Sequence, residues 1–214
     1  MTFTGQVDRL VELGYPGLMG MKADGLRERL EPLRGAAEAL DAAAGDEVPG
    51  RAAYVVVVTR ELVDPSSTVP LLSLHGRQGV VDRNHAPGDL ATYDPLPELE
   101  VPGAEYLLVD VDRGEEFCGV RPEDALPVIR DRGRTPLTID EGIAVVTHQP
   151  RLLEKNKCFM LSGSRRQDRR VPALWISDRA PKLGWCWDGN PHTWLGVASA
   201  RRGCAPACAT THAS

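Results

Sequence analysis

"AAYVVVVTRELV", Ala52 to Val63, contains a β-branched run from Val55 to Thr59. Branching at Cβ stiffens these side chains against a helical turn, and the run is too short for a stable helix, so it predicts a buried strand. "EYLLVDVDRG", Glu105 to Gly114, predicts a second central strand that ends in a turn. Upstream, Val7, Leu10, Val11 and Leu13 have helical spacing from Gly5 to Leu13, and "GYPG" stops the run. A further helical face follows at Leu26, Leu30, Leu33, Ala37 and Leu40, kinked or broken at Pro32, with its exit at Gly45 to Gly50.

A central helix pair comes after the second strand. "RPEDALPVIRDRG" opens with Pro122 at the first helical position and closes at Gly133, and "TIDEGIAVVTHQP" is capped by Thr138 with Glu141 three residues on. Hairpins should supply the rest. "VPLLSLHGRQGVVDRN" has Gly76 and Gly79 to take up positive φ; "CFMLSG" and "VPALWIS" flank an arginine-rich tip; "KLGWCW" and "HTWLGVAS" flank the turn Asp188 to Pro191. The expected class is α+β, a mostly antiparallel sheet with N-terminal helices and a central helix pair. His85 to Gly103 reads as a long surface loop. Residues 1–203 are expected to form one globular domain, and the small, polar stretch 204–214 a disordered tail.

The 214 residues are 42% hydrophobic and 26% charged, an ordinary globular mixture. A net charge of -5 repels nucleic acid and anionic membranes, so nucleic acid is not an expected partner. No apolar run approaches the roughly 20 residues of a membrane span, and the N-terminus lacks the basic start and apolar core of a signal peptide. Cys118, Cys158 and Cys186 sit in apolar or aromatic stretches, as reduced core cysteines do. A cytoplasmic protein is expected. Only Lys22, Lys155, Lys157 and Lys182 are lysines, arginine supplying the other basic residues, which suits a GC-rich genome as well as a phosphate-binding role.

"VTRELV", "VVDRNHAPGDLATYDPLPELE", "YLLVDVDRGEEFCGVRPEDALPVI", "GRTPLTIDEGIAVVTHQP" and "KLGWCWDGNPHTWLG" together resemble a family of uncharacterised actinobacterial proteins, a domain of unknown function. The resemblance runs from the first helix to Arg202 and leaves out the tail from Cys204. It implies a bacterial, soluble, single-domain protein and no particular chemistry.

Three constellations could carry chemistry. Asp110 and Asp112 stand two apart, on one face of a strand, with Glu115 close behind; these carboxylates are candidates for a divalent metal such as magnesium. The strand-terminal Asp-x-Asp also resembles the nucleophile motif of haloacid-dehalogenase-like phosphatases, a match confined to this one string. Asp110, Asp112 and, for acid–base work, His148 are therefore the catalytic candidates of a metal-assisted hydrolase. In "LSGSRRQDRR", Arg165, Arg166, Arg169 and Arg170 surround Asp168 and follow Ser164, a grouping suited to phosphate or carboxylate if it is not a solvated hairpin tip. Last, Trp175, Trp185, Trp187 and Trp194 crowd the C-terminal part of the chain, where Trp185, Trp187 and His192 could line a pocket or close the core. The leading expectation is a binding module that takes an anionic small molecule or an acidic protein surface at the arginine tip. A metal-assisted hydrolase and a structural subunit without a ligand site are the alternatives. Cys204, Cys208 and His212 offer too few ligands for zinc.

Overall fold

The computed structural model describes residues 1–202 of the chain, so the Cys204–His212 tail lies outside the described residues. The helices are α1 (Phe3–Glu12), α2 (Tyr15–Leu18), α3 (Ala23–Leu30), α4 (Arg34–Ala43), α5 (Pro65–Thr68), α6 (Pro122–Asp131) and α7 (Ile139–His148). The strands in the first two thirds are β1 (Arg51–Val58), β2 (Ser73–Leu74), β3 (Arg77–Gln78), β4 (Val80–Val81), β5 (Asp94–Pro95), β6 (Glu105–Asp112) and β7 (Thr135–Pro136). The last third adds β8 (Cys158–Met160), β9 (Ser164–Arg165), β10 (Arg170–Ser177), β11 (Ala180–Trp187), β12 (Leu195–Val197) and β13 (Ser199–Arg202). Among the described residues no helix is long and apolar enough to cross a membrane.

The class is α+β, as the alternation of strand runs and helix pairs predicts. The two larger sheets have the orders β1-β6-β13-β7 and β12-β8-β10-β11-β4, beside the two-stranded pairs β2-β3 and β5-β9; pairing is antiparallel except at β11–β4 and β12–β8. Tyr54, Val56 and Leu107 turn to one face of the first sheet, where they pack on Leu10, Leu26, Leu30 and Leu33 of the N-terminal helical layer. Val55, Val57, Leu108 and Val111 turn to the other face and join one continuous core with α7 and the second sheet. Burial on both faces is why β1 reads as an unbroken apolar run rather than an alternating one.

Pro32 interrupts the second helical face: α3 ends at Leu30, a 3-10 turn spans Glu31–Leu33 with its flanking residues still right-handed, and α4 follows directly. Two turn expectations need correcting. The first hairpin turns at His75–Gly76, both with positive φ, whereas Gly79 is needed for space, because a Cβ there would strike the Val69 carbonyl. The hairpin expected across Asp188 to Pro191 does not form. β11 pairs instead with β10 through a two-residue turn at Asp178–Arg179, and the chain after Pro191 crosses over to lay β12 parallel to β8. Gly196 makes that crossing possible, since its α-carbon packs on the Gly114 backbone with no room for a side chain.

β1 is an edge strand, and two side chains finish it. The Val56 N–H donates to Gln6 Oε1 (2.8 Å), Gln6 Nε2 donates to the Tyr54 carbonyl (3.4 Å), and His148 Nε2 donates to the Val56 carbonyl (3.0 Å). Gln6 and His148 thus stand in for a missing neighbour strand in a place sealed from water. His148, a catalytic candidate on residue type alone, is a structural donor: it is buried, bonded to backbone, and pushed by burial to a pKa of about 3.

Two outcomes follow for stability. Gln6→Met strands the Val56 N–H and Tyr54 carbonyl and should cost about 2–4 kcal/mol in urea unfolding, against a few tenths for an exposed substitution on α1. For His148, the unfolded ring accepts a proton near pH 6.5 while the folded ring stays neutral to about pH 3. Its contribution is therefore full above pH 6.5 and falls at up to ~1.4 kcal/mol per pH unit as pH drops toward 3. NMR titration should find the His148 ring signals unmoved between pH 7 and pH 4.5; an ordinary titration would show that the ring is not sealed.

Candidate functional site

The arginine tip is built and already filled. Ser164 Oγ accepts the Ile139 N–H (3.0 Å) at the start of α7, and Gly163 packs on the Pro136–Leu137 backbone, so the Ser-Gly-Ser approach is fastened inward. Arg165 is largely buried, donating to the Ser162 and Ser164 carbonyls and to Asp188 Oδ1 (3.1 Å); burial pulls its pKa down and Asp188 opposes that. Arg166 meets Asp89 (3.0 Å) and Asp168 (3.7 Å) while lying over the Tyr93 ring (5.6 Å). Arg170 meets Asp168 (3.4 Å) and Asp89 (3.8 Å) and lies over Trp185 (4.4 Å), whose ring is edge-on to Trp187 (4.9 Å). Arg169, the most exposed of the set, reaches Glu123 on α6 (2.7 Å). Each guanidinium has a carboxylate of its own chain beside it. The tip clamps the Asp89 segment, α6 and the Asp188 turn to one another, and it holds no spare cation for an outside anion.

The strand-end carboxylates do not converge. β6 takes an extra residue relative to β13 between the pairs Ser199–Asp112 and Arg201–Val109, and Asp110 sits there with φ 51°. Such a bulge cancels the one-face argument for residues two apart. Arg134 grips both the carboxylate and the carbonyl of Asp110; Asp112 accepts the Gly114 N–H and pairs with Arg51; Glu115 pairs with Arg113 and Lys157. Asp110 and Asp112 line different cavities. Among the described residues no group of three or more His, Cys, Asp or Glu is placed to hold a metal ion.

The tryptophans divide in two. Trp185 and Trp187 belong to the arginine tip, whereas Trp175 and Trp194 form walls of a groove of about 1110 Å³. Their rings stand nearly perpendicular, 80° apart with centroids at 6.3 Å. Trp175 crosses the α-carbon of Gly184, where a Cβ would strike the indole, so the opposite strand fixes this ring. His192 lies behind Trp194 (5.7 Å) with Nε2 buried and unpartnered, and burial lowers its pKa. Leu74, Leu153, Ile176 and Pro150 complete the apolar walls, and Cys158 contributes a thiol whose pKa burial raises, which makes it an inert wall atom and not a nucleophile.

Polar side chains rim this groove: His75, Arg151, Glu154, Lys155, Asn156, Asp178 and Arg179. Arg151 is held by Glu47 through two bonds (2.8 and 2.6 Å), and Glu154 by Arg113 (3.0 Å). Sequence reasoning placed Trp175 and Trp194 in the aromatic end but missed the rim, whose residues come from three turns far apart in the chain and from the 3-10 segment Pro150–Leu152.

No curated protein matches the chain, and no solved structure does. A profile described as a family of unknown function (DUF5701) matches residues 9–205. The chain belongs to that family of unknown function, DUF5701.

Proposed function

We propose that the protein is a binding module for a small molecule with a flat apolar body, and that its site is the groove lined by the Trp175–Trp194 pair rather than the arginine tip. The observation that carries this reading is the groove itself. Its volume of about 1110 Å³ lies just above the roughly 300–1000 Å³ range of small-molecule sites, so a guest would fill part of it. Two indoles, held at right angles, offer a face and an edge to one flat guest. Gly184 beneath Trp175 supplies preorganisation, so a ligand need not order that ring on arrival. The free cysteines Cys118, Cys158 and Cys186, together with the arginine-rich and lysine-poor composition, fit the proposed setting, the cytoplasm of an actinobacterium.

The test uses N-phenyl-1-naphthylamine, a neutral aromatic probe that brightens on leaving water. Wild-type protein should enhance its emission saturably, and Trp194→Ala should weaken binding by about tenfold or more, the usual loss for a truncated aromatic anchor. Trp187→Ala, outside the groove, should leave binding within about twofold of wild type. Equal affinity in all three proteins, or no binding to the wild type, would remove the groove as the site.

A further inference from the structure

Residues with a side chain and positive φ are uncommon, because Cβ then crowds the backbone. The described chain has five: His75, Asp110, Asn156, Asp178 and Arg179. Asp110 belongs to the β6 bulge, and the other four all line the Trp175–Trp194 groove. They come from three reversals that share nothing in sequence: His75–Gly76 between β2 and β3, the turn closed by the Glu154–Lys157 bridge, and Asp178–Arg179 between β10 and β11.

Turn chemistry accounts for most of this set. A two-residue hairpin turn of type I′ needs positive φ at both positions and prefers Asn or Asp followed by Gly. His75–Gly76 keeps the glycine, Asn156 is a tolerant residue, and Asp178 is a favoured first residue. Arg179 is the exception. It occupies the glycine position at φ 65°, is exposed, and makes no hydrogen bond or ion pair within the described residues. A fold indifferent to the side chain would do better with glycine there. Lys155, on the neighbouring turn, is likewise exposed and without a carboxylate partner among the described residues. The other charges of the rim are spent inside the molecule, Arg151 on Glu47 and Glu154 on Arg113 and Lys157. Asp178 opposes Lys155 and Arg179, and the uncommitted charge at the mouth remains positive.

We infer that the groove selects acids: an aromatic or other flat apolar body lies against the wall made by the Trp175–Trp194 pair while its carboxylate, or an equivalent anionic group, is received by Arg179 and Lys155 at the rim. This rests on the groove being the ligand site, as proposed above. It assigns the strained Arg179 a task, since a guanidinium offers paired donors to a carboxylate and keeps its charge at any working pH. It also moves anion recognition from the four paired arginines of the tip to two unpaired cations that were not singled out in the sequence.

The test compares 2-naphthoate with 2-naphthamide, the same ring with and without the charge, by calorimetry or by quenching of tryptophan emission. Wild-type protein should bind the acid about tenfold tighter than the amide, the worth of one charge-assisted hydrogen bond. Arg179→Gly should bring the ratio to within about threefold of one, chiefly by weakening the acid, while raising the melting temperature by about 2 °C as the backbone strain is relieved. Lys155→Met, which leaves its turn conformation alone, should lower the ratio as well. Equal binding of acid and amide by the wild type, or an acid preference that survives both substitutions, overturns the inference and leaves the groove reading standing. If neither naphthalene nor the neutral naphthylamine probe binds, the groove reading falls, and this inference with it.

Discussion

Helix α7 carries Asp140 and Glu141 into the interior, and the pairing of those two carboxylates ties the helix to the first sheet and to the loop that ends at Tyr93. All ten residues of the helix are buried, so it has no wet face on which to put a charge. Removing a carboxylate from water costs several kcal/mol unless partners replace the lost hydration. Glu141 has a full set: the Tyr106 hydroxyl (2.7 Å), the Thr138 N–H (2.7 Å), and the Nε and a terminal nitrogen of Arg202 (3.0 and 3.3 Å). Asp140 takes the Arg60 guanidinium at 3.0 and 3.2 Å, and Arg60 passes on to the Tyr93 carbonyl. Both acids also sit in the first turn, where the helix dipole favours negative charge. One helix start thereby fastens β6, β13, the segment after β1 and the loop that ends at Tyr93. The Tyr106 phenol, pressed against Glu141 and sealed from solvent, is held far above its ordinary pKa, burial being the larger cause.

The same helix sets up the groove. Its far end delivers His148 to the edge of β1 and then, through Gln149, feeds Pro150 and Leu153 directly into the groove wall. Gly142, on its inner side, lets Leu161 pack against the helix axis, which draws β8 and Cys158 in close. The groove is therefore walled on one side by chain running straight out of the most buried element, and on the other by a hairpin whose Trp175 is pinned across Gly184. A rigid wall opposite a pinned ring is an arrangement that keeps a cleft from collapsing onto itself.

How much of this could be read from the residues depends on whether the signal was local. The Thr138–Glu141 capping box, Pro122 at the start of α6 and the Val55–Thr59 strand were legible because each is a short-range steric or hydrogen-bonding preference, and the structure has all three. The Asp188-Gly189-Asn190-Pro191 turn misled for the complementary reason. It does make a tight turn, with the Asn190 N–H donating to the Trp187 carbonyl, but β12 still runs in the same direction as β11, and its pairing with β8 brings Gly196 against Gly114, two glycines 82 positions apart that no local pattern links. The Asp178–Arg179 hairpin gave no warning, since arginine is a poor choice where glycine is expected. The bulge at Asp110, which separates the two aspartates of an inviting Asp-x-Asp, is likewise set by a register shift against the last strand. For the site, residue type was a fair guide to where aromatic walls would come from and a poor guide to which charges were free.

That last point is the general one for an arginine-rich chain. A cluster of guanidinium groups in sequence attracts attention because like charges repel, yet the repulsion is itself a reason for the fold to bring acids to them. Arg165, Arg166, Arg169 and Arg170 draw in Asp188, Asp89, Asp168 and Glu123 from four separate segments, and each pair formed removes a cation from the surface field while tying down a loop. Half-buried pairs of this kind act as clamps, with their charge cancelled over a distance shorter than the screening length of physiological salt. Lys155 and Arg179, exposed at the groove rim, form no ion pair among the described residues even with Glu154 and Asp178 beside them in the chain. In this protein the density of basic residues along the chain therefore runs opposite to the availability of their charge, and the place to look for an anion is where a cation stands alone beside an apolar hollow.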